Sequence, residues 1–137
     1  KEGIGQIVWS PLAQGVLTGK YLPGKKAPAG SRATDKKGGA NMISRWMDDS
    51  VLSAVQKLLP IAKDCGLTMG QLSLAWVLQN ENVSSAIVGA TKPSQLKENV
   101  KAAGVKLDSA TLKAIDQAIG AVAEKDPSKT VSPKPRA

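Results

Sequence analysis

The chain has 137 residues, 42% of them hydrophobic, and its 19 basic and 11 acidic side chains give a formal net charge of +8. This is ordinary globular composition, which excludes a disordered or collagen-like chain, and the length suits one domain rather than two. With no histidine and a single cysteine, the chain cannot hold a Ser-His or Cys-His nucleophile pair, a His-ligated zinc or a thiolate zinc cluster.

Neither a membrane-spanning segment nor a secretory leader is predicted. No apolar run approaches the ~18 residues that a spanning helix needs, and no charged-then-apolar signal opens the chain. The lone Cys65 cannot form an internal disulfide, which favours a reducing compartment, so we expect a cytoplasmic protein without membrane contact. Because the chain starts at Lys1 without an initiator Met, we expect it to be processed or to be a piece of something longer.

The first predicted element is a strand over about residues 4–10, an apolar and β-branched run that Ser10 and Pro11 end. A turn-rich loop containing Gly15 and Gly19 follows it. Residues 23–41 are then predicted to be a long irregular segment, rich in Gly, Pro, Ala and Lys. Segments of this length without secondary structure are uncommon inside compact domains and are usually functional or disordered.

Helical periodicity follows. One apolar face predicts a helix over about 48–64, with Pro60 kinking it or ending it early and Gly66 as its C-terminal stop. Thr68 and Gln71 fit a capping box that begins the next helix, which runs to about residue 79. That helix is apolar nearly all round, so we expect it to be buried on several sides.

A second short strand, over 84–89, leads to Pro93, which suits a first helical turn, and to helices over about 93–103 and 109–122. Residues 125–137 are predicted to be a loose, Pro- and Lys-rich tail. About two buried strands, with four to five helices between and after them, indicate a parallel α/β fold. Two strands leave both sheet edges uncovered, and a parallel barrel needs eight, so the pattern predicts an incomplete barrel whose edges a complementary chain or self-association would cover.

The first candidate site follows the first strand, because ligands of parallel sheets and barrels lie beyond the carboxyl ends of strands. Trp9 could stack on a flat heteroaromatic ring, and backbone N–H groups after Ser10 could face a phosphate. The alternative is that Trp9 is a core residue and that Ser10 and Pro11 form only a turn.

The second candidate lies at 89–99, where a strand leads into a helix. Helix N-termini carry free N–H donors and a positive dipole end, and Thr91, Lys92, Ser94 and Gln95 would add hydroxyl, cationic and amide donors for a phosphate. Glu98 and Asn99, one turn later, could contact a base edge. The alternative is that these polar residues only cap the helix.

The third candidate is a basic loop. Between Lys20 and Arg45 seven basic residues accompany one acidic residue, Asp35. Such a loop could clamp an anionic ligand or bind nucleic acid, but no aromatic residue between Tyr21 and Trp46 offers a stacking platform for bases. A solvated loop is the alternative. The basic residues are Lys20, Lys25, Lys26, Arg32, Lys36, Lys37 and Arg45.

Three motifs together resemble one family. Residues 9–21 (WSPLAQGVLTGKY) are similar to the segment after the seventh barrel strand of aldo-keto reductases, above all in the branch with the potassium-channel β-subunits and bacterial general-stress reductases. Residues 68–78 (TMGQLSLAWVL) resemble the following helix of that family, and residues 84–99 (SSAIVGATKPSQLKEN) its eighth strand and next helix. The resemblance covers about residues 1–120.

The resemblance implies the (β/α)8 TIM-barrel fold, NADP(H) bound in extended form, and reduction of aldehydes or ketones. It implies that Trp9 stacks on the nicotinamide and that Arg32 pairs with the 2′-phosphate or covers the adenine. The pyrophosphate would be lined by Ser10, Pro11, Leu12, Ala13 and Gln14, helped by Lys20. The 2′-phosphate would be held by Gly89, Thr91 and Gln95, and the adenine would be met by Glu98 and Asn99.

The catalytic Asp, Tyr, Lys and His of that family belong to earlier strands and have no counterpart here, and Tyr21 lies in a loop. We therefore expect residues 1–124, with a cofactor loop at 11–45, to be the C-terminal part of an NADP(H)-dependent oxidoreductase, inactive alone. A carbonyl substrate would bind only with the N-terminal part present. The alternatives are a non-catalytic, cofactor-sensing β-subunit-like module and, less favoured, a basic nucleic-acid-binding domain.

Overall fold

The computed structural model describes residues 5–124 and residue 126. Within them, two strands and six α-helices follow one another, where the sequence predicted four to five helices. The strands are β1 (Gln6–Trp9) and β2 (Val83–Ile87), and the helices are α1 (Gly39–Ile43), α2 (Asp49–Gln56), α3 (Leu58–Asp64), α4 (Met69–Leu78), α5 (Pro93–Val100) and α6 (Ser109–Ile119). Apart from residue 126, the predicted tail at 125–137 lies outside the described residues.

The two strands are adjacent and parallel, as predicted. Ile7 pairs with Ser85 and Trp9 pairs with Ile87, with an irregularity in register after Gln6. In a parallel pair both strands end at the same edge of the sheet. The loop that follows β1 and the loop that follows β2 therefore start side by side.

The prediction that both strands are buried is wrong for this chain. Ile7 and Trp9 are each 68% exposed, and Ile87 is 59% exposed. Apolar strand residues become buried only when further strands or helices lie against them, and in the described residues it is mainly α4 that packs on β2. The same exposure excludes the alternative in which Trp9 is a core residue of this chain.

The hydrophobic core lies among the helices and the loop after β1, away from the sheet. Leu72 of α4, Ile43 of α1 and Tyr21 of the loop after β1 are each 1% exposed. α6 closes this core by packing on α2 and α3. The buried cluster comprises Val16, Tyr21, Ile43, Leu52, Val55, Leu58, Ala62, Met69, Leu72 and Ile115.

The helix predicted over 48–64 is divided at Lys57 into α2 and α3. Pro60 lies in the first turn of α3, where a missing backbone N–H breaks no intrahelical bond, so the predicted interruption is confirmed. Gly66 ends α3 with φ of +67°, and the amide of Leu67 donates to the carbonyl of Ala62 at 2.8 Å. This is the Schellman arrangement that favours glycine.

The capping box of α4 is confirmed. The amide of Gln71 donates to Oγ1 of Thr68 at 3.2 Å, and the amide of Thr68 donates to Oε1 of Gln71 at 3.0 Å. Most of α4 is buried, as its all-round apolar sequence predicts, although Trp76 is 38% exposed.

The segment over 23–41 is less irregular than predicted. It contains a 3-10 turn (Arg32–Thr34) and leads directly into α1. Gly39 begins α1 where a side chain would meet Asp35 and the carbonyl of Arg32, so only glycine fits there. The amide of Gly24 donates to the Asp49 carboxylate at 2.9 Å and ties the loop to α2. The predicted helices at 93–103 and 109–122 are shorter, ending at Val100 and Ile119.

Candidate functional site

The turn that follows β1 has an unusual backbone. Ser10, Ala13 and Gln14 have φ of +55°, +46° and +58°, values that residues other than glycine rarely adopt. Each costs about 1–2 kcal/mol and persists only where the surrounding structure holds it, and such residues cluster at binding sites. Trp9, next to this turn, leaves most of its indole exposed at the strand end.

A chain of hydrogen bonds ties the basic loop to this turn. Nη1 of Arg32 donates to Oε1 of Gln14 at 2.5 Å. Nε2 of Gln14 donates in turn to the hydroxyl of Ser10. A second cation lies close by, because a Cβ built on Gly15 would be 3.1 Å from Nζ of Lys20. Two cationic side chains of the basic loop therefore converge on the turn where the sequence predicts a pyrophosphate.

All seven basic residues of the loop are exposed. Arg45 lies with its guanidinium 4.0 Å from the ring centre of its neighbour Trp46. The side chains brought to the turn after β1 are thus Lys20 and Arg32, rather than the whole basic cluster.

At the start of α5, one side-chain oxygen collects three donors. Oε1 of Gln95 accepts from the amide of Thr91 at 2.7 Å, from the hydroxyl of Thr91 at 3.2 Å and from the amide of Lys92 at 3.3 Å. Pro93 is the first residue of the helix, as predicted. The capping role that the sequence left open is therefore present.

The backbone conformation at Gly89, just beyond β2, does not require glycine. Its φ lies outside the left-handed region, and a Cβ there would meet nothing within 4 Å. Open space therefore lies beside this residue, just past the end of β2.

Glu98 of α5 faces α4. Its Oε2 accepts from Nε2 of Gln71 at 3.1 Å, and its Oε1 accepts from Nζ of Lys101 at 2.6 Å. Asn99 beside it is half-buried. The sequence singles out Gln71 only for its capping role, although Gln71 is also a polar residue in a helix that is otherwise nearly all apolar. In the structure its side chain is only 6% exposed.

Two kinds of site find no support in the described residues. No group of three His, Cys, Asp or Glu side chains there could hold a metal ion. None of the helices at 5–124 combines the length and apolar character needed to cross a membrane.

Comparison with known proteins decides the family. Residues 1–120 match the model of the aldo/keto reductase family. The chain belongs to that family. The match covers most of the 137 residues and includes both strand ends described above.

Relatives of this aldo/keto reductase chain include proteins named as probable potassium channel subunits. It is 49% identical over 104 residues to a probable voltage-gated potassium channel subunit beta of Arabidopsis thaliana, covering 76% of this chain and 31% of the relative. The probable subunit beta of Oryza sativa subsp. japonica is 44% identical over 130 residues, covering 95% of this chain and 38% of the relative. The chain thus spans about a third of the length of these relatives.

A solved structure shows the fold. The glycerol dehydrogenase of Gluconobacter oxydans superposes with a TM-score of 0.60 at 23% identity, covering 96% of this chain and 37% of that one. The TIM-barrel fold class is confirmed, and the described part of this aldo/keto reductase chain holds two parallel strands, whereas a complete barrel has eight.

Proposed function

We propose that this chain is the C-terminal, NADP(H)-binding part of an aldo-keto reductase that reduces aldehydes or ketones to alcohols by hydride transfer. The observation that supports it best is the convergence of Arg32, Gln14 and Lys20 at the turn after β1. Cations and amide donors at the carboxyl edge of a parallel sheet suit an extended, phosphate-bearing ligand.

The described residues fit such a cofactor. The exposed indole of Trp9 offers a flat surface for the nicotinamide, and the open space at Gly89 admits a ligand at the neighbouring strand end. The proposed pyrophosphate contacts are Ser10, Pro11, Leu12, Ala13, Gln14 and Lys20, and the proposed adenosine and 2′-phosphate contacts are Arg32, Gly89, Thr91, Gln95, Glu98 and Asn99.

The bound cofactor supplies the hydride, and this chain supplies binding and orientation. No histidine is present, and no Asp, Tyr or Lys matches the family's acid–base residues, so the 137-residue chain should not reduce a carbonyl alone. A carbonyl substrate would bind only when the preceding part of the barrel completes the pocket. The single Cys65 supports a cytoplasmic location.

Cofactor titration tests the proposal. Binding of NADPH should quench the tryptophan fluorescence of the chain. Trp9→Phe should remove most of that quench, whereas Trp76→Phe, at a site that faces the helical core, should retain it. Absence of NADPH binding would overturn the proposal. A DNA affinity that falls steeply with salt would instead favour the basic nucleic-acid-binding alternative.

The relatives named as potassium channel subunits support a second candidate, a non-catalytic module that senses the nicotinamide cofactor and regulates a partner. Both candidates require the same cofactor site. They differ in whether residues upstream of Lys1 carry the catalytic Asp, Tyr, Lys and His. NADPH oxidation by the full-length protein with an aldehyde would support the reductase.

A further inference from the structure

Helix α5 carries Gln95, Glu98 and Asn99, yet it is weakly anchored to the rest of the chain. It has no fully buried residue, and Leu96 and Val100 are 51% and 62% exposed. Apolar packing therefore does little to fix its position within the described residues.

One buried amide makes the connection instead. Nε2 of Gln71 donates to the main-chain oxygen of Glu98 at 3.1 Å and to Oε2 of the same residue at 3.1 Å. Its other end, Oε1, accepts from the amide of Thr68 at 3.0 Å. The first turn of α4 is thereby joined to both the backbone and the side chain of Glu98.

We propose that Gln71 is a positioning residue for the adenosine end of the cofactor, acting through Glu98. This inference rests on the proposed function. Gln71 itself lies behind α5, so it orders the residues that would contact the ligand without contacting the ligand. Lys101 cannot replace it, because Lys101 belongs to the same segment as Glu98 and is 62% exposed, so it does not fix that segment to the core.

The amide supplies two donors toward Glu98, whereas capping needs only its oxygen. Gln71→Glu separates these roles, because glutamate keeps the length and serves equally well in a capping box. The new carboxylate would face the Glu98 carboxylate and carbonyl, so a hydrogen bond becomes like-charge repulsion. Gln71→Met removes the donors without adding charge.

In the 137-residue chain at pH 7.5, Gln71→Glu should weaken binding of NADPH and of adenosine 2′,5′-bisphosphate by roughly tenfold, and Gln71→Met by roughly fivefold. Binding of nicotinamide mononucleotide should change by less than about twofold, because that end lies at the turn after β1. The comparison of the two fragments separates positioning from a general loss of structure, because a merely structural defect would weaken both fragments alike.

Two further variants serve as controls. Thr68→Ala removes the hydroxyl that accepts from the Gln71 amide, so it should lower stability while leaving adenosine-end affinity within about twofold. Adding Glu98→Gln to Gln71→Glu restores a donor–acceptor pair with the roles exchanged. The double variant should therefore bind adenosine 2′,5′-bisphosphate more tightly than the two single effects predict.

The outcomes are distinguishable. Failure of the unmodified chain to bind NADPH would overturn the proposed function, and this inference with it. Tight NADPH binding by the unmodified chain and unchanged affinity for adenosine 2′,5′-bisphosphate in folded Gln71→Glu or Gln71→Met would overturn the positioning role alone. Equal losses for the adenosine and nicotinamide fragments would also overturn it.

Discussion

The guanidinium of Arg32 and the side-chain amide of Gln14 are joined by a 2.5 Å hydrogen bond across 18 positions of the sequence. Sδ of Met42 lies 3.9 Å from the same guanidinium nitrogen. The basic loop is therefore already drawn toward the end of β1, and Arg32 stands beside the strained turn. Under the proposed function, little reorganisation of the loop would be needed for a cofactor phosphate to meet this guanidinium.

Arg32→Lys tests whether the geometry of that side chain matters beyond its charge. Lysine keeps the charge but loses the planar fork that binds phosphate bidentately. We expect NADPH affinity to fall about tenfold and NADH affinity to change less, measured by fluorescence titration at fixed ionic strength.

Lys37→Ala is the matched control for this loop, because it removes one positive charge from an exposed position. It should change NADPH affinity by less than about twofold at 0.15 M salt, where exposed charges beyond a Debye length are screened. A loss in Lys37→Ala without a loss in Arg32→Lys would instead indicate general attraction by the loop charge.

Gly89→Ala tests whether the glycine is needed to leave room for a ligand or to allow the backbone conformation. Because φ is ordinary and the space is open, the free energy of unfolding should stay within about 0.5 kcal/mol of the unmodified value. NADPH binding should weaken, since the added methyl group enters the space beside the strand end.

Gly66→Ala should show the reverse. Its φ of +67° lies in the left-handed region, so alanine costs about 1 kcal/mol in unfolding free energy and leaves NADPH affinity unchanged. Urea unfolding and cofactor titration of both variants check the pair. Loss of stability in Gly89→Ala would mean that the glycine serves the fold.

Asp108 caps the N-terminus of α6, and its ionisation should make the free energy of unfolding depend on pH. Its carboxylate accepts from the amide of Thr111 at 2.7 Å, and the hydrogen bonds from Thr111 and then Ala110 hold its pKa below the ordinary value. A depressed folded-state pKa stabilises the protein above the unfolded value of about 4, and this contribution is lost as pH falls through the folded value.

Asp108→Asn keeps the capping oxygen but does not titrate. The unmodified chain should exceed this variant in unfolding free energy most at pH 7, and the difference should shrink below about pH 4. Urea denaturation at pH 7, 4 and 3 measures it. A constant difference across this range would contradict the assignment.

Leu72→Ala tests the helical core. The side chain is 1% exposed within the buried cluster, so its truncation should lower the unfolding free energy by about 2–5 kcal/mol. Leu96→Ala, on the exposed face of α5, should change it by less than about 0.5 kcal/mol. Comparable losses would mean that α5 is packed as tightly as α4.

The local features of the fold could be predicted from the sequence because their causes are local. The Thr68 capping box, the Gly66 stop and the interruption near Pro60 depend on neighbours within one or two turns. The order of strands and helices, and the parallel pairing, followed from the same periodicity.

The features that could not be predicted depend on residues far apart in the chain. Ile7 and Ile87 indicate a buried sheet by composition, but their burial is decided by neighbours that the described residues do not supply. The sequence was enough to name Arg32 and Gln95 as hydrogen-bond donors for a ligand. Only the structure shows their partners within the chain, which are Gln14 for Arg32 and Thr91 for Gln95.

The pairing of β1 with β2 joins segments about 75 residues apart, whereas α2, α3 and α4 are close in sequence. Because closing so long a loop costs chain entropy before any contact repays it, the helical segments should assemble first and the strand pair last. A ligand that contacts both strand ends would then have a binding site only after the strands have paired. By binding there it would stabilise the paired state.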